Sequence, residues 1–354
     1  MSIETVTLTH TSGRASITVS LLGATITSWM MFSQNLLFLS KKAVFDGSKP
    51  IRGGIPIVFP QFGPGKLPQH GFARTQIWEH VSTETEEESG DVTAVFRLVS
   101  NEETLKVWPH AFELQYTVAL GMSNMRCELK VINTGDAPFS FQSLLHTYFH
   151  TDDLLKTIVS GLNNIDYIDS ADYKTVKTDR APVISFNGDY VDRIYKRGEK
   201  MDENVGRSRA EALLSVGDGG NCDLVIRAAN MPDAVVWNPG ADKCKEMSDM
   251  EETGFKEFVC VEVGAVTKPI TLEPGQQYNG GQAIILRVLS SASAQLRRAA
   301  AEEQLKQFPV RPALDKILPS KSAPTPSPPV DKKVEESNER AKIEIVEEEE
   351  ESTQ

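Results

Sequence analysis

The chain has 354 residues, of which 40% are hydrophobic and 24% are charged, and its formal net charge at pH 7 is −12. This composition is typical of a soluble globular protein, and no apolar run approaches the ~20 residues needed to cross a bilayer. An acidic chain without a basic stripe is also unsuited to nucleic acid. We therefore expect neither a membrane nor a nucleic acid as a partner.

The cysteines and the N-terminal residues bear on the cellular compartment. The four cysteines are widely scattered and form no CxxC pair: Cys127, Cys222, Cys244 and Cys260. This pattern argues against a zinc knuckle or a disulfide framework and suits a reducing compartment. The first residues lack the basic-then-apolar layout of a secretion signal. The sequence therefore predicts a cytoplasmic protein.

Short segments of alternating, β-branched residues recur through residues 1–290. The clearest are Ala15–Ser20, Val92–Leu98, Leu114–Leu120, Cys127–Ile132 and Gln282–Val288. Many short strands without alternating long helices indicate an all-β sandwich of antiparallel sheets. The charged stretch Asp242–Thr253 is the mid-chain helix that we predict, and its charges place it on the surface. We treat residues 1–290 as one folded domain.

The composition changes after residue 290. Residues 291–308 are rich in alanine, glutamate and arginine and predict a helix. Residues 309–354 begin with seven prolines between Pro309 and Pro329 and end with ten acidic and four basic residues from Asp331 onward. Such segments favour extended, disordered chain. This tail could be a solvated extension or could dock a basic protein partner, and the sequence names none.

Two turn-rich segments, Ile51–Pro56 and Pro68–Arg74, lie between runs of strand-like residues. They carry Arg52, His70 and Arg74. A guanidinium group binds carboxylate or phosphate with paired hydrogen bonds. The neighbouring glycines would let the backbone approach a ligand closely. The two segments predict an anion site carried by loops.

The segment Phe139–His150 reads as a strand. Alternation places one set of side chains on a shared face: Gln142, Leu144, His146 and Tyr148. In a strand, His146 and His150 would be roughly 13 Å apart at the ~3.3 Å rise, too far to share a metal ion. His146 is then either a hydrogen-bonded structural residue or a functional one, and we expect no metal site.

A lone carboxylate stands in the apolar segment Phe258–Gly264. Because burying a charge is costly unless it is paired, Glu262 must be held there for structure or for proton transfer. Asp192 lies beside Arg193 and could form a surface ion pair with it. No dinucleotide fingerprint, phosphate-binding P-loop or GxSxG elbow occurs in the chain, so we expect no cofactor.

These segments together resemble the aldose 1-epimerase (mutarotase-like) superfamily, most closely its hexose-6-phosphate mutarotase branch. The similar stretches are Leu22–Ala24, Ser28–Trp29, Ile51–Gly63, Leu67–Arg74, Trp108–His110, Leu145–Phe149, Val191–Tyr195, Val236–Pro239 and Cys260–Glu262. They occur in the family's order from about residue 5 to residue 290. The resemblance implies a large antiparallel β-sandwich of the galactose mutarotase type.

The resemblance also implies an activity, the interconversion of the α and β anomers of a hexose 6-phosphate, with glucose 6-phosphate as the expected substrate. It implies His146 as the catalytic acid and Glu262 as the catalytic base. It implies substrate-binding positions at Arg52, Gln69, His70, Arg74 and Asp192. Two alternatives stay open, a non-catalytic module that binds a phosphosugar or another carbohydrate and a mutarotase for unphosphorylated aldoses.

The chain departs from the family pattern at two positions. Gly240 follows Asn-Pro where the family usually has Trp, and Val263 follows the catalytic Glu where the family usually has Pro-Gly. We expect the first departure to reshape a cavity wall and the second to shift the backbone of Glu262.

Overall fold

A computed structural model of the protein describes residues 3–170, 172–197, 201–202, 207–208, 211–215 and 222–288. The predicted helix at 291–308 and the predicted tail at 309–354 lie outside the described residues. Within those ranges, no helix has the length and apolar character needed to cross a membrane.

Strands dominate the described residues. In chain order they are β1 (Thr5–Thr9), β2 (Ala15–Ser20), β3 (Thr25–Met31), β4 (Gln34–Asn35), β5 (Ile57–Val58), β6 (Glu79–Thr85), β7 (Val92–Val99), β8 (Phe112–Leu120), β9 (Asn124–Asn133), β10 (Phe139–Leu145), β11 (Tyr148–His150), β12 (Ile158–Ser160), β13 (Asp166–Asp169), β14 (Asp172–Thr178), β15 (Val183–Ser185), β16 (Val191–Lys196), β17 (Met201–Asp202), β18 (Arg207–Ser208), β19 (Glu211–Ser215), β20 (Cys222–Ala229), β21 (Asp233–Asn238), β22 (Phe258–Leu272) and β23 (Gln277–Val288). The helices are α1 (Glu102–Val107) and α2 (Gly240–Glu246), with 3-10 turns at Ala73–Thr75, Leu154–Lys156 and Gly254–Lys256.

Two large antiparallel sheets organise these strands. Among the described residues, an eight-stranded sheet runs in the order β14-β13-β16-β21-β22-β10-β5, with β11 also paired to β22. A nine-stranded sheet runs in the order β15-β12-β19-β20-β23-β9-β8-β7-β6, and β1 to β4 form a smaller sheet. All five strand segments predicted from the sequence fall within strands. The prediction of an antiparallel β-sandwich is confirmed.

The main core lies between the two large sheets. Buried side chains of both sheets join one cluster, with Phe141 and Val261 from the eight-stranded sheet and Leu129 and Ile284 from the nine-stranded sheet. Each such side chain stabilises the fold by about 1.5–3 kcal/mol when fully buried. A polar contact also crosses between the sheets, since Gln282 Nε2 donates to Thr147 Oγ1 at 2.9 Å.

The eight-stranded sheet also has an apolar outer face. Along β21, Ala234 and Val236 pack in the main core, whereas Val235 belongs to a separate small cluster with Leu144 and Ile194. Because successive side chains of a strand point to opposite faces, this second cluster lies on the side away from the nine-stranded sheet. The outer face is where the candidate site is built.

The predicted strand Phe139–His150 is interrupted. β10 ends at Leu145 and β11 begins at Tyr148. The break is filled by the 51–56 segment, since the His146 N–H donates to the Pro56 carbonyl at 3.0 Å and the Tyr148 N–H donates to the Gly54 carbonyl at 2.9 Å. The prediction of one continuous strand was therefore wrong, although it placed Leu144 on the correct face.

The glycines of the turn-rich segments allow close contact between neighbouring stretches of backbone. Gly54 and Gly71 have φ of +66° and +72°, and a Cβ would overlap the backbone carbonyl of Ile26 at Gly54 and that of Phe59 at Gly71. Only glycine meets both demands without strain. These glycines were predicted to let the backbone approach a ligand, and that prediction was wrong at Gly54 and Gly71, where they make room for neighbouring backbone.

The mid-chain helix is shorter and less exposed than predicted. α2 ends at Glu246, well before Thr253. Cys244 on α2 is buried, and so are Asp249 and Met250 beyond its end. The charge pattern did not predict this burial. The segment after the helix turns inward, where the Asp249 carboxylate binds the guanidinium group of Arg52.

Candidate active site

A cavity of about 460 Å³ opens on the outer face of the eight-stranded sheet. Every candidate site residue from the sequence analysis lines it: Arg52, Gln69, His70, Arg74, His146, Asp192 and Glu262. Its remaining wall includes Phe62, Tyr190, Val235, Trp237, Lys243 and Glu246. The structure thus brings together residues that lie up to 210 positions apart in the sequence.

Strand register positions the two carboxylates. Glu262 on β22 lies opposite Val235 on β21, and Trp237 on β21 lies opposite Asp192 on β16. Directly paired residues share a face of the sheet, and so do alternate residues on one strand. Asp192, Trp237 and Glu262 therefore all face the cavity.

His146 and Glu262 form a buried pair in the cavity. His146 Nδ1 lies 3.4 Å from Glu262 Oε1, and the two residues are 7% and 1% exposed. The Tyr148 ring stacks on the imidazole, with 4.7 Å between centroids and 10° between planes. The rings of His70 and Trp237 meet the imidazole edge-on at 5.7 and 5.9 Å. These contacts fix the orientation of the His146 imidazole.

The surroundings favour the uncharged form of both groups. Burial, together with His70, Arg74 and Arg52, lowers the pKa of His146 well below its ordinary value. Burial and the Asp192 charge raise the pKa of Glu262 well above its ordinary value, with Arg74 opposing the shift. Groups this close titrate as a coupled pair. The two shifts together favour a proton on Glu262 over a proton on His146.

The raised pKa of Glu262 makes a stability prediction. Because the folded protein keeps this proton above the pKa of the unfolded chain, the contribution of Glu262 to stability should fall as pH rises from about 4.5. In the variant Glu262→Gln, the side chain is a neutral amide that does not ionise in this pH range. We expect its free energy of unfolding to exceed that of wild type by about 1–2 kcal/mol at pH 7 and by much less at pH 4.5. Urea unfolding at both pH values measures this difference, and an unchanged gap would contradict it.

The two arginines of the cavity differ in their partners. Arg52 donates from Nε to Asp249 Oδ1 at 3.2 Å and from Nη1 to the Tyr148 hydroxyl at 3.1 Å, while its Nη2 lies 3.2 Å from Asp249 Oδ2. Although burial works against the charge, Tyr148 and Asp249 hold the pKa of Arg52 above its ordinary value. The charge of Arg52 is already compensated within the protein.

Arg74 has no such carboxylate. Its Nη2 donates to the Gln69 carbonyl at 2.6 Å, and its buried Nε has no hydrogen-bond partner among the described residues. Burial lowers the pKa of Arg74 to about 10, and the nearby Arg52 charge adds to this shift. A cation in this state gains from a bound anion.

His70 presents a neutral imidazole to the cavity. The Gly63 N–H donates to His70 Nδ1 at 3.3 Å, so the ring proton is assigned to Nε2, with the side-chain oxygen of Gln69 turned toward it in place of the amide nitrogen 3.4 Å away. Burial, with the charges of Arg74 and Arg52, lowers the pKa of His70 to about 3. His70 therefore offers an N–H donor without adding a charge.

Asp192 does not pair with its neighbour in the sequence. It accepts a 2.6 Å hydrogen bond from the Tyr190 hydroxyl. Arg193 instead binds Asp179, with 3.0 Å between Nη1 and Oδ2. The simple surface ion pair between Asp192 and Arg193 was therefore a wrong alternative, because adjacent residues of a strand point to opposite faces.

Gly240 shapes the cavity wall through its backbone. It has φ +64° and is buried, and a Cβ there would lie 2.6 Å from backbone atoms of Asp189 and Tyr190. The absent side chain thus lets α2 pack against the segment that carries Tyr190. By contrast, β22 continues past Glu262 in regular register, with Val263 opposite Ala234.

This packing makes Gly240→Ala costly. We expect a loss of about 2 kcal/mol in the free energy of unfolding, from the left-handed backbone and from the backbone overlap. Gly275→Ala is a matched control, since Gly275 has φ +75° but a Cβ there meets nothing within 4 Å. Thermal unfolding of both variants separates strain from overlap, and equal losses would contradict the packing account.

The residues best placed to hold a metal ion within the described chain are His146, Cys260 and Glu262. One ligand atom of each lies within 4.8 Å of the others. Burial and the Glu262 charge raise the pKa of the Cys260 thiol well above its ordinary value. Thiolate is the form that binds a metal, so an ion at these three residues would have to displace the thiol proton.

Sequence reasoning missed several residues in the cavity wall and behind it. Tyr148 was placed on the correct face, but nothing in the sequence shows that it stacks on His146 and binds Arg52. Tyr190 and Lys243 carried no signal, because their place in the wall depends on how α2 packs. Asp249, the partner of Arg52, lay inside a segment predicted to be an exposed helix.

Comparisons with known proteins agree with this fold. The family model described as Aldose 1-epimerase matches residues 4–284. A protein from Cenchrus ciliaris named "Putative glucose-6-phosphate 1-epimerase" is 37% identical over 289 residues, which cover 78% of this chain and 83% of the relative. A protein of the same name from Escherichia coli K12 is 33% identical over 77% of this chain and 87% of its own length.

Solved structures show the same architecture. The crystal structure of a "putative mutarotase" from Salmonella typhimurium superposes with a TM-score of 0.71 at 28% identity, covering 81% of this chain and 91% of that one. Galactose 1-epimerase from Lactobacillus acidophilus NCFM superposes with a TM-score of 0.59 at 14% identity, over 82% of this chain and all of that one, which shows the shared fold alone.

The fold is therefore that of the galactose mutarotase class of β-sandwich. The chain belongs to the aldose 1-epimerase family, and it is an isomerase that acts on a sugar.

Proposed function

We propose that the protein interconverts the α and β anomers of a hexose 6-phosphate, with glucose 6-phosphate as the preferred substrate. One observation carries this proposal: the buried His146–Glu262 pair shares a cavity with arginine side chains. The pair supplies proton transfer, and the positive charge supplies recognition of a phosphate. The names of the relatives from Cenchrus ciliaris and Escherichia coli support the same substrate.

Ring opening needs two proton transfers. His146 donates a proton to the ring oxygen as the C1–O5 bond breaks, and Glu262 removes the proton of the C1 hydroxyl. The products are an aldehyde at C1 and a hydroxyl at C5. After rotation about the C1–C2 bond, the C5 oxygen attacks the other face of the aldehyde. The proton transfers then run in reverse, and each is typically worth about 10²–10⁴ in rate.

The substrate itself prepares the pair for this reaction. The catalytic form needs the proton on His146, whereas the protein's own groups favour it on Glu262. The arginines contribute to the low pKa of His146. A phosphate carries a charge of about −1.5 to −2 at pH 7, so its binding would offset the arginines and raise that pKa. Phosphate binding would thus move the proton to the acid that needs it.

The other cavity residues suit recognition of the sugar. Gln69, the neutral N–H of His70 and the Asp192 carboxylate offer a mixed set of donors and acceptors for hydroxyl groups. Trp237 supplies an apolar ring beside them. A non-catalytic binding module would need neither member of the buried proton-sharing pair, which favours the enzyme.

Exchange spectroscopy by proton NMR tests the substrate class. Magnetisation transfer between the α and β C1 protons gives the rate of anomer exchange for glucose 6-phosphate and for glucose. We expect the enzyme to accelerate exchange of the phosphate ester far more than exchange of glucose. Faster anomer exchange of glucose alone would agree with the acid–base mechanism but would overturn the phosphate specificity. The protein would then be a mutarotase for unphosphorylated aldoses.

Two further expectations remain predictions from the sequence. The cytoplasmic location rests on cysteine usage and on the character of the first residues. A basic protein partner for the acidic tail concerns residues 309–354, which lie outside the described residues.

A further inference from the structure

The cavity carries a third cation that the sequence analysis did not single out. Lys243 on α2 lines the same wall as Tyr190 and Glu246. We propose that Lys243 is a specificity-determining residue that, together with Arg74, receives the 6-phosphate of the substrate. The proposal rests on the proposed function and assigns the phosphate to a particular part of the cavity.

The existing partners of the three cations show which of them are available to bind the phosphate. Both Nε and Nη2 of Arg52 face the Asp249 carboxylate, which makes Arg52 a compensated charge. Arg74 and Lys243 form no ion pair with any described residue. A phosphate monoester dianion at pH 7 is matched by two uncompensated cations. Arg74 and Lys243 are the cavity residues that meet this requirement.

The side chain of Lys243 is held where it can reach a ligand. Its Nζ lies 3.3 Å from the centroid of the Tyr190 ring, and the Tyr190 hydroxyl donates to Asp192 at 2.6 Å. A cation over an aromatic ring at an exposed site is only weakly attracted, whereas a charge-assisted hydrogen bond to phosphate is strong. The ammonium group of Lys243 therefore lies at the wall of the cavity, and it can move from the Tyr190 ring to form a hydrogen bond with the phosphate.

The position of α2 fixes this arrangement. Cys244 is the buried anchor of the helix, and Gly240 packs its first turn against the segment that carries Tyr190. Lys243 and Glu246, three residues apart, share the side that lines the cavity. Without Lys243, the exposed Glu246 carboxylate would repel a phosphate at this wall, so the loss of the ammonium group should weaken binding strongly.

Lys245 on the same helix provides a matched control. It carries the same charge, lies outside the cavity lining, and its Nζ is 3.7 Å from Asp242 Oδ1. The variants Lys243→Met and Lys245→Met change the net charge equally. Calorimetry measures their affinity for glucose 6-phosphate and for inorganic phosphate. NMR exchange measures the ratio of kcat/KM for glucose 6-phosphate to that for glucose.

We expect Lys243→Met to weaken both phosphate ligands about tenfold and to lower the kcat/KM ratio by a similar factor. Lys245→Met should change each by less than about twofold. Equal losses in the two variants would mean that only long-range charge matters, and would overturn the proposal. So would unchanged binding in Lys243→Met. Selective weakening of phosphate binding without anomer exchange in wild type would support the Lys243 site and overturn the proposed function.

Discussion

Replacing His146 with Asn is expected to lower kcat for anomer exchange of glucose 6-phosphate by about 10²–10⁴, because the ring oxygen then leaves without a proton donor. The double variant with Glu262→Gln should be little worse than either single variant. Residues that act as one proton-transfer unit lose their contribution together, so their effects do not add. NMR exchange rates for the three variants measure this.

Binding provides the control for this prediction. Calorimetry should find that the affinity of His146→Asn for glucose 6-phosphate stays within a few-fold of wild type. The phosphate contacts that we assign to Arg74 and Lys243 do not involve the imidazole. A variant that lost affinity and rate in equal proportion would show that His146 binds substrate uniformly and does not act as the acid. Full additivity of the two substitutions would separate His146 and Glu262 into independent roles.

Replacing Arg52 with Leu is expected to destabilise the protein by about 2–3 kcal/mol. The substitution leaves the Asp249 carboxylate, which is 7% exposed, without its cationic partner. Breaking a buried ion pair typically costs 3–5 kcal/mol, and the partial exposure of the Arg52 side chain reduces this figure. Urea unfolding at pH 7 measures the loss.

Arg74→Leu is the matched control for Arg52→Leu. It removes a guanidinium group from the same cavity but leaves no carboxylate unpaired. Its free energy of unfolding should therefore stay within about 1 kcal/mol of wild type, while its affinity for glucose 6-phosphate falls. Equal destabilisation by both substitutions would contradict the distinction between a compensated and an uncompensated arginine. The combination Arg52→Leu with Asp249→Leu should recover most of the lost stability.

The sequence predicted the fold and the cavity residues for identifiable reasons. Alternation and β-branched content mark β2, β7, β8, β9 and β23 because each has one face in the core. Glu262 could be singled out because a carboxylate in an apolar strand is costly and so must have a purpose. The family resemblance then connected residues that no local pattern links, such as Arg52 and Asp192.

Other features depend on packing that a single sequence does not encode locally. The break at His146 arises because the 51–56 segment, far away in the chain, supplies the carbonyls that hold the His146 and Tyr148 amides. The burial of Asp249 depends on Arg52, and the role of Gly240 depends on the Tyr190 segment. The lowered pKa of His146 and the raised pKa of Glu262 depend on burial and on charges from the whole cavity, so no local pattern in the sequence predicts them.

The most direct test of the account is the rate of exchange between the α and β C1 protons of glucose 6-phosphate, measured by NMR with wild-type protein and with Glu262→Gln. We predict clear acceleration by the wild type and a loss of about 10²–10⁴ in the variant, with the variant still binding the sugar phosphate. Equal acceleration by the two proteins would contradict the role of Glu262 as the base. No acceleration by folded wild-type protein would contradict the proposed function itself.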